Sequence, residues 1–140
     1  MAQLLTGRLT EVVVNAALEK ARELECATLT IAVLDVAGHL AAVARLDDRW
    51  FQVESAQAKA FAAIALREDT EVVGPRLDST PFWRTVPSLV AGRGSFGLGG
   101  VVLRLGSDPA EIVGAIGVIG GSGEHDLSVA KAGAAALANL

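Results

Sequence analysis

The chain has 140 residues, 51% of them hydrophobic and 20% charged, with a formal net charge of −4; this is the length of one domain, able to bury a core without staples. The acidic balance and the 4% aromatic content argue against a nucleic-acid partner, which needs a basic face and stacking side chains. One cysteine excludes an internal disulfide and a cysteine-based zinc cluster, and no apolar run approaches the roughly 20 residues of a membrane span.

So apolar a composition leaves a small protein with more hydrophobic surface than it can bury alone. Subunit contacts would hide the surplus, which predicts a homo-oligomer. The opening MAQLLTGRLT lacks the basic region and long apolar segment of a signal peptide, so the expected compartment is the cytoplasm.

In chain order, LTEVVVNAALEKARELECA places Leu9, Val12, Val13, Ala16, Ala17 and Leu24 at helical spacing. TLTIAVLD reads as a strand with Leu29, Ile31 and Val33 on one face. DVAGHL supplies a tight turn in which Gly38 takes positive φ, and LAAVARL returns as the second strand of a hairpin. QVESAQAKAFAAIAL is a helix whose core stripe is Val53, Ala56, Ala60 and Ile64, with small residues on its other sides. The middle of the chain is irregular, and short helical turns lead there into a glycine-rich loop. Within it Thr80-Pro81 fits a helix start, the threonine capping and the proline at the first helical position. GVVLRLG and EIVGAIGVIG form a second hairpin across SDPA, and GEHDLSVAKAGAAALANL closes the chain as a helix with a Leu127, Ala130, Ala134, Leu137 stripe. The order α-β-β-α-(irregular)-β-β-α predicts a single α+β domain over residues 1–140, with an antiparallel sheet of four to five strands flanked by helices.

The stretch AIGVIGGSGEHD is the first to examine for chemistry. A dinucleotide fingerprint requires a third glycine where Asp126 stands, and no lysine follows as a Walker loop demands. What remains is a helix beginning at Ser122 or Gly123, whose free N–H groups favour an anion, with Glu124 and Asp126 already supplying negative charge. The five glycines from Gly114 to Gly123 point to a strand packed closely by backbone and turning sharply into the last helix. His125 has acidic neighbours, but adjacent helix residues point in different directions and nothing marks Ser122 or Ser128 as a nucleophile. His39 falls at the hairpin turn, and no HxH or HxxxH spacing supports a metal site.

Two further groups invite a ligand. Lys59 stands amid alanines, where it snorkels to solvent or meets a ligand carboxylate or Asp47. Arg45 begins a charged knot with Asp47, Asp48 and Arg49, and Trp50 and Phe51 follow it at once. Aromatic surface beside a few charges suits an organic-ligand pocket, to which Phe82, Trp83 and Phe96 could add wall.

The segments AVLDVAGHLAAVARLDD, ESAQAKAFAAIAL and GGVVLRLGSDPAEIVGAIGVIGGSGEHDLSVAKAGAAAL together resemble the GlcG/HbpS family, which includes haem-binding HbpS and the C-terminal domain of PduO-type proteins. The resemblance implies a profilin-like sheet flanked by helices, dimers up to octamers, and in some members haem as ligand. Where PduO-type domains carry a haem-ligating histidine near the first helix, this chain has none, leaving Thr10 as a weak oxygen donor there. Two functional expectations follow. The first is an oligomeric module binding a flat anionic ligand such as haem, with Arg45 and Lys59 at its carboxylates, Trp50, Phe51 and Phe96 around its ring, and Ser122 at the helix start. The second is a small cofactor-free enzyme acting on an anionic metabolite at a subunit interface, with Asp47, Glu54, Lys59 or His125 as acid or base. A scaffold or stress oligomer without ligand is the plainest alternative.

Overall fold

The structure is a computed structural model that describes Leu5 and residues 7–46, 48–106 and 111–140. Five α-helices and four strands follow in the order α1 (Gly7–Glu23), β1 (Thr30–Asp35), β2 (Leu40–Arg45), α2 (Gln52–Leu66), α3 (Thr70–Val73), α4 (Pro81–Leu89), β3 (Gly100–Arg104), β4 (Ile112–Ile119) and α5 (Gly123–Ala138), with a 3-10 turn at Gly74–Asp78. The strands form one antiparallel sheet in the order β2-β1-β4-β3. The expected α+β class and antiparallel sheet are therefore found, with four strands. The irregular middle turns out to hold α3, the 3-10 turn and α4, and Thr80 and Pro81 start α4 as the sequence suggested.

Both faces of the sheet are covered. On one side α1 and α5 bury Val13, Ala17, Val129 and Leu137 against Ile31, Val33, Ile116 and Val118. On the other, α2 lays Ala60 and Ala63 over Leu34 and Ala115. This is why β1 is buried from Thr30 through Leu34 rather than on alternate residues: a central strand covered twice has no solvent face. The edge strand β2 keeps a half-open pattern. The β1–β2 turn is closed by Asp35, whose Oδ1 accepts from the N–H groups of Ala37 at 3.0 Å and His39 at 2.9 Å, and Gly38 takes φ +87°.

The sheet-facing side of α2 differs from the expected stripe. Ala56 and Ala60 are buried, but Gln52, Lys59, Ala62 and Ala63 join them, while Val53 and Ile64 are only half-buried. Backbone approach explains the turn of the helix. Gly117 on β4 pairs with Gly100 on β3, and a Cβ on Gly117 would overlap the carbonyl oxygen of Ala56, while one on Gly100 would overlap that of Lys59. Helix and sheet touch main chain to main chain, so bulky residues are excluded there and the glycines of β4 are packing residues, as their density in the sequence suggested.

Candidate functional site

The glycine-rich passage into α5 is built as a knot. Gly120 takes φ +120°, a backbone conformation that L side chains rarely adopt, and turns the chain out of β4. Ser122 is the N-cap, its Oγ accepting from the His125 N–H at 3.1 Å. Asp126, 3% exposed, accepts from Gly121 N–H on Oδ1 at 2.9 Å and from Lys59 Nζ on Oδ2 at 3.3 Å. Lys59 Nζ also donates to the carbonyl oxygens of Leu98 at 2.7 Å and Val118 at 2.8 Å. Three donors therefore meet three acceptors. Burial pulls the Lys59 ammonium below the ordinary lysine range, and the Asp126 charge opposes that pull.

This placement corrects the expectation for Lys59. Its side chain neither reaches solvent nor offers a hydrogen to a ligand carboxylate, because α2 faces it into the sheet and all three of its donors are spent inside. Ser122, by contrast, is exposed and uses its hydroxyl oxygen to accept in the helix cap. The passage is structural mortar, tying α2, β4, α5 and the Leu98 loop together.

The Arg45–Phe51 segment presents an open surface instead. Arg49 braces it from beneath: Nη2 donates to the carbonyl oxygens of Gly120 at 3.3 Å and Thr28 at 3.5 Å. In the amide orientation that satisfies both groups, the oxygen of buried Gln52 accepts from Arg49 Nη2 at 3.0 Å and Nε at 3.2 Å. Phe51 sits at φ +67°, a strained position for an aromatic residue. It is 56% exposed beside Trp50 at 84%, the two rings edge to face with centroids 6.1 Å apart. Asp47 lies outside the described residues.

Three open clefts adjoin along this segment. One, of about 260 Å³, lies between Trp50, Phe51, Glu54 and Arg45. A second, of about 510 Å³, shares Arg45 and Asp48 with it and reaches Thr28 and Leu46. A third, of about 470 Å³, shares Leu46 with the second and ends on Arg22, Glu25 and Cys26. Together they form one band from an aromatic pair to a thiol, with arginines along its length.

Cys26 is the residue that sequence reasoning missed. Its Sγ lies 3.3 Å from His125 Nδ1. Position 26 is set by the end of α1, where Glu25 takes φ +54° and the N–H groups of Glu25 and Cys26 bond back to the carbonyls of Arg22 and Ala21. This is the Schellman arrangement, here with a glutamate where glycine is usual. His125 stands in the first turn of α5, brought to the end of α1 because the two helices pack closely around Gly133 and Val13. No periodicity links positions 26 and 125; only the α1–α5 packing does.

The remaining candidates fall elsewhere. The Phe96 ring tip and a Val90 methyl both lie over Gly94, and Phe82 packs edge to face on Trp83, which Arg76 covers at 5.6 Å; none of these aromatics lines the band. Glu54 stands at the lip of the Trp50 cleft and also lines a separate cleft with Phe61 and Arg93, where the guanidinium sits 4.0 Å from the ring centroid. His39 lies 3.7 Å from Asp35 at the hairpin turn, and Thr10 is buried in α1. Among the described residues no three His, Cys, Asp or Glu side chains gather as a metal site, and no helix is long and apolar enough to cross a membrane.

A family model described as haem degrading protein HbpS-like matches residues 5–135. The chain belongs to the HbpS-like family. Among solved structures, the HbpS-like chain is similar to a double mutant of Streptomyces reticuli HbpS at 27% identity and a TM-score of 0.83, covering 99% of this chain and 90% of that one. It also shares its fold with PduOC in complex with haem, at 24% identity and TM-score 0.84 over 96% and 95% of the two chains. Klebsiella pneumoniae protein ORFY has the same fold at 20% identity, TM-score 0.86 and coverage of 98% and 92%. Curated protein sequences yield no match.

The band's chemistry fits a haem. A flat, amphipathic macrocycle with two carboxylates needs aromatic or aliphatic surface, cations at the rim and a donor for iron. Trp50, Phe51 and Leu46 are surface of the first kind and Arg22 and Arg45 are cations along the band, with the Cys26 thiol at its far end.

Proposed function

We propose that this HbpS-like protein binds haem along the band from Trp50 to Cys26. One observation carries the reading: three clefts adjoin in series, the first two sharing Arg45 and Asp48 and the last two sharing Leu46, with aromatic rings at one end and the Cys26 thiol at the other. In this reading Leu46 would offer the ring apolar surface, Arg45 and Arg22 would meet its propionates, and Trp50 and Phe51 would add aromatic wall. Arg49 lines the Trp50 cleft, and buried Gln52 braces it from beneath. Lys59 has no part, since its charge is sealed inside the fold.

Titration of the purified apo-protein with haemin tests it. A saturable Soret shift is expected, weakened by about tenfold in Arg45→Ala, which removes one charge-assisted contact. Trp50→Ala should weaken binding further without changing the fold, because that ring is almost wholly exposed. Haemin that only adsorbs weakly and without saturation refutes the reading.

A further inference from the structure

We propose that the cleft between α2, the β1–β2 turn and the loop after α4 binds a small zwitterion with one carboxylate and one ammonium group, of the class of an α-amino acid with an apolar side chain. The site is separate from the haem band, sharing only Glu54 with it, and does not depend on haem binding.

The cleft holds about 290 Å³, and three separate parts of the chain build it. Helix α2 contributes Glu54, Gln57, Ala58 and Phe61, which stand at i, i+3, i+4 and i+7, so one helical face lines the cleft along its length. This face lies beside the one that packs Ala56, Lys59, Ala60 and Ala63 onto the sheet. The β1–β2 turn approaches at Gly38, where an added Cβ would stand 3.9 Å from the Phe61 ring. The loop after α4 delivers Arg93 and is tied down on both sides of it. The Gly92 N–H donates to the Pro87 carbonyl at 3.1 Å, and the Ser95 N–H donates to the Ala58 carbonyl of α2 at 3.1 Å.

The ligand class follows from what these groups leave unsatisfied. The Arg93 guanidinium lies over the Phe61 ring, 4.0 Å from its centroid. A ring face attracts the charge but offers no lone pair, so that contact leaves the N–H donors available. Among the described residues, the Arg93 side chain has no hydrogen-bond or ion-pair partner, and neither has the Glu54 carboxylate nor the Gln57 amide. Opposite charges therefore line one cleft without meeting, and the space between them suits a molecule that carries both signs. The planar fork of Arg93 takes a carboxylate bidentately, Glu54 accepts from an ammonium, and Gln57 offers a donor and an acceptor between them. Phe61, Ala58 and Leu34 give the apolar side chain its surface. A simple anion would be repelled by Glu54 and a simple cation by Arg93, which is how the pair selects a zwitterion. At the lower end of the roughly 300–1,000 Å³ of drug-sized pockets, the cleft has room for an amino acid and none for a haem.

Titration of the haem-free protein with L-leucine and L-phenylalanine, followed by backbone amide NMR shifts, tests the site. Saturable shifts are expected at Gly38, Ala58, Phe61 and Gly92 with at least one of the two. Arg93→Gln should weaken that binding by about tenfold, as for loss of one charge-assisted contact, and should leave haemin binding as in the wild type. Glu54→Gln should weaken the amino acids by a similar factor, yet should not weaken isocaproate or hydrocinnamate, the same two molecules without the ammonium. The wild type should bind those two acids less tightly than the amino acids. Arg93 and Glu54 are both exposed, so each variant should keep native circular dichroism. No saturable shift with either amino acid overturns the proposal. So does binding that Arg93→Gln leaves unchanged, or equal affinity for the acids that lack the ammonium. Loss of haemin binding in Arg93→Gln would merge the two clefts into one site and overturn their separation.

Discussion

Removing either charge of the Lys59–Asp126 pair should be among the costliest single changes available in this fold. Lys59 is 6% exposed and Asp126 3%. Lys59→Met strands the Asp126 carboxylate and the carbonyls of Leu98 and Val118, all of which lose a charged donor at 2.7–3.3 Å. Asp126→Asn is milder in shape, since its oxygen can still accept from Gly121 N–H, but it leaves the ammonium without a counter-charge. Breaking a buried pair from one side costs about 3–5 kcal/mol, a large share of the 5–15 kcal/mol that holds a domain of this size. With a urea slope near 2 kcal/mol per molar, that is a midpoint lowered by about 2 M. Urea titrations followed by circular dichroism, at equal slope, give the numbers. The double variant should cost less than the sum of the two, by about 0.5–3 kcal/mol of coupling. Burial also gives the pair a pH signature. Because the folded-state pKa of Lys59 lies below its value of 10.5 in the open chain, the unfolded chain holds more protons between those two values. Wild-type stability relative to Lys59→Met should therefore rise with pH across that alkaline window and stay flat below it. Single variants each costing under about 1 kcal/mol, well below the usual loss for a broken buried pair, would refute the account. A difference that does not change with alkaline pH would refute its electrostatic part.

Gly117→Ala places a methyl on the Ala56 carbonyl, which is main chain and cannot step aside; the variant should lose about 3 kcal/mol or more, or fail to accumulate as folded protein, whereas Gly7→Ala, with open space around it, should be neutral or mildly stabilising. Thermal melts of the two variants make the comparison. Thr30→Val should raise stability by about 1 kcal/mol, since the Thr30 Oγ1 is buried with no hydrogen-bond partner among the described residues and a methyl fills the same space without that penalty. A destabilised Thr30→Val would mean that the hydroxyl has a partner in the folded protein.

The fold was readable because its signals are local. Helical spacing marked α1, α2 and α5, the Asp35–His39 turn announced the first hairpin, and the glycines of β4 announced close backbone packing, which Gly117 against Ala56 bears out. The stripe on α2 was read with the helix turned slightly wrong, because hydrophobicity ranks Val53 and Ile64 above Gln52 and Lys59. What decides the facing is instead which side chains let two backbones touch, and there alanines beside a buried lysine win. The candidate site was legible in half. Arg45, Trp50 and Phe51 are neighbours in sequence, so their juxtaposition of charge and ring was visible. Cys26 and His125 become neighbours only when α1 and α5 pack against one sheet face, and nothing within either segment encodes the other.

That packing also explains why the Glu-His-Asp run looked ambiguous. Its three residues occupy one helical turn, yet His125 and Asp126 face different partners. Asp126 faces inward and neutralises Lys59, locking the first turn of α5 to β4 and α2. His125, one residue earlier, is rotated by about 100° and faces the end of α1. The inward residue is thus what makes the outward one precise: an imidazole on a helix end free to fray could not be held 3.3 Å from a sulfur 99 positions away. Asp126→Asn should accordingly loosen the Cys26–His125 contact as well as the core, whereas Cys26→Ser should leave the core untouched. The same short run therefore holds a buried residue that locks the helix and an exposed one that meets Cys26, and their separate effects on stability tell the two apart.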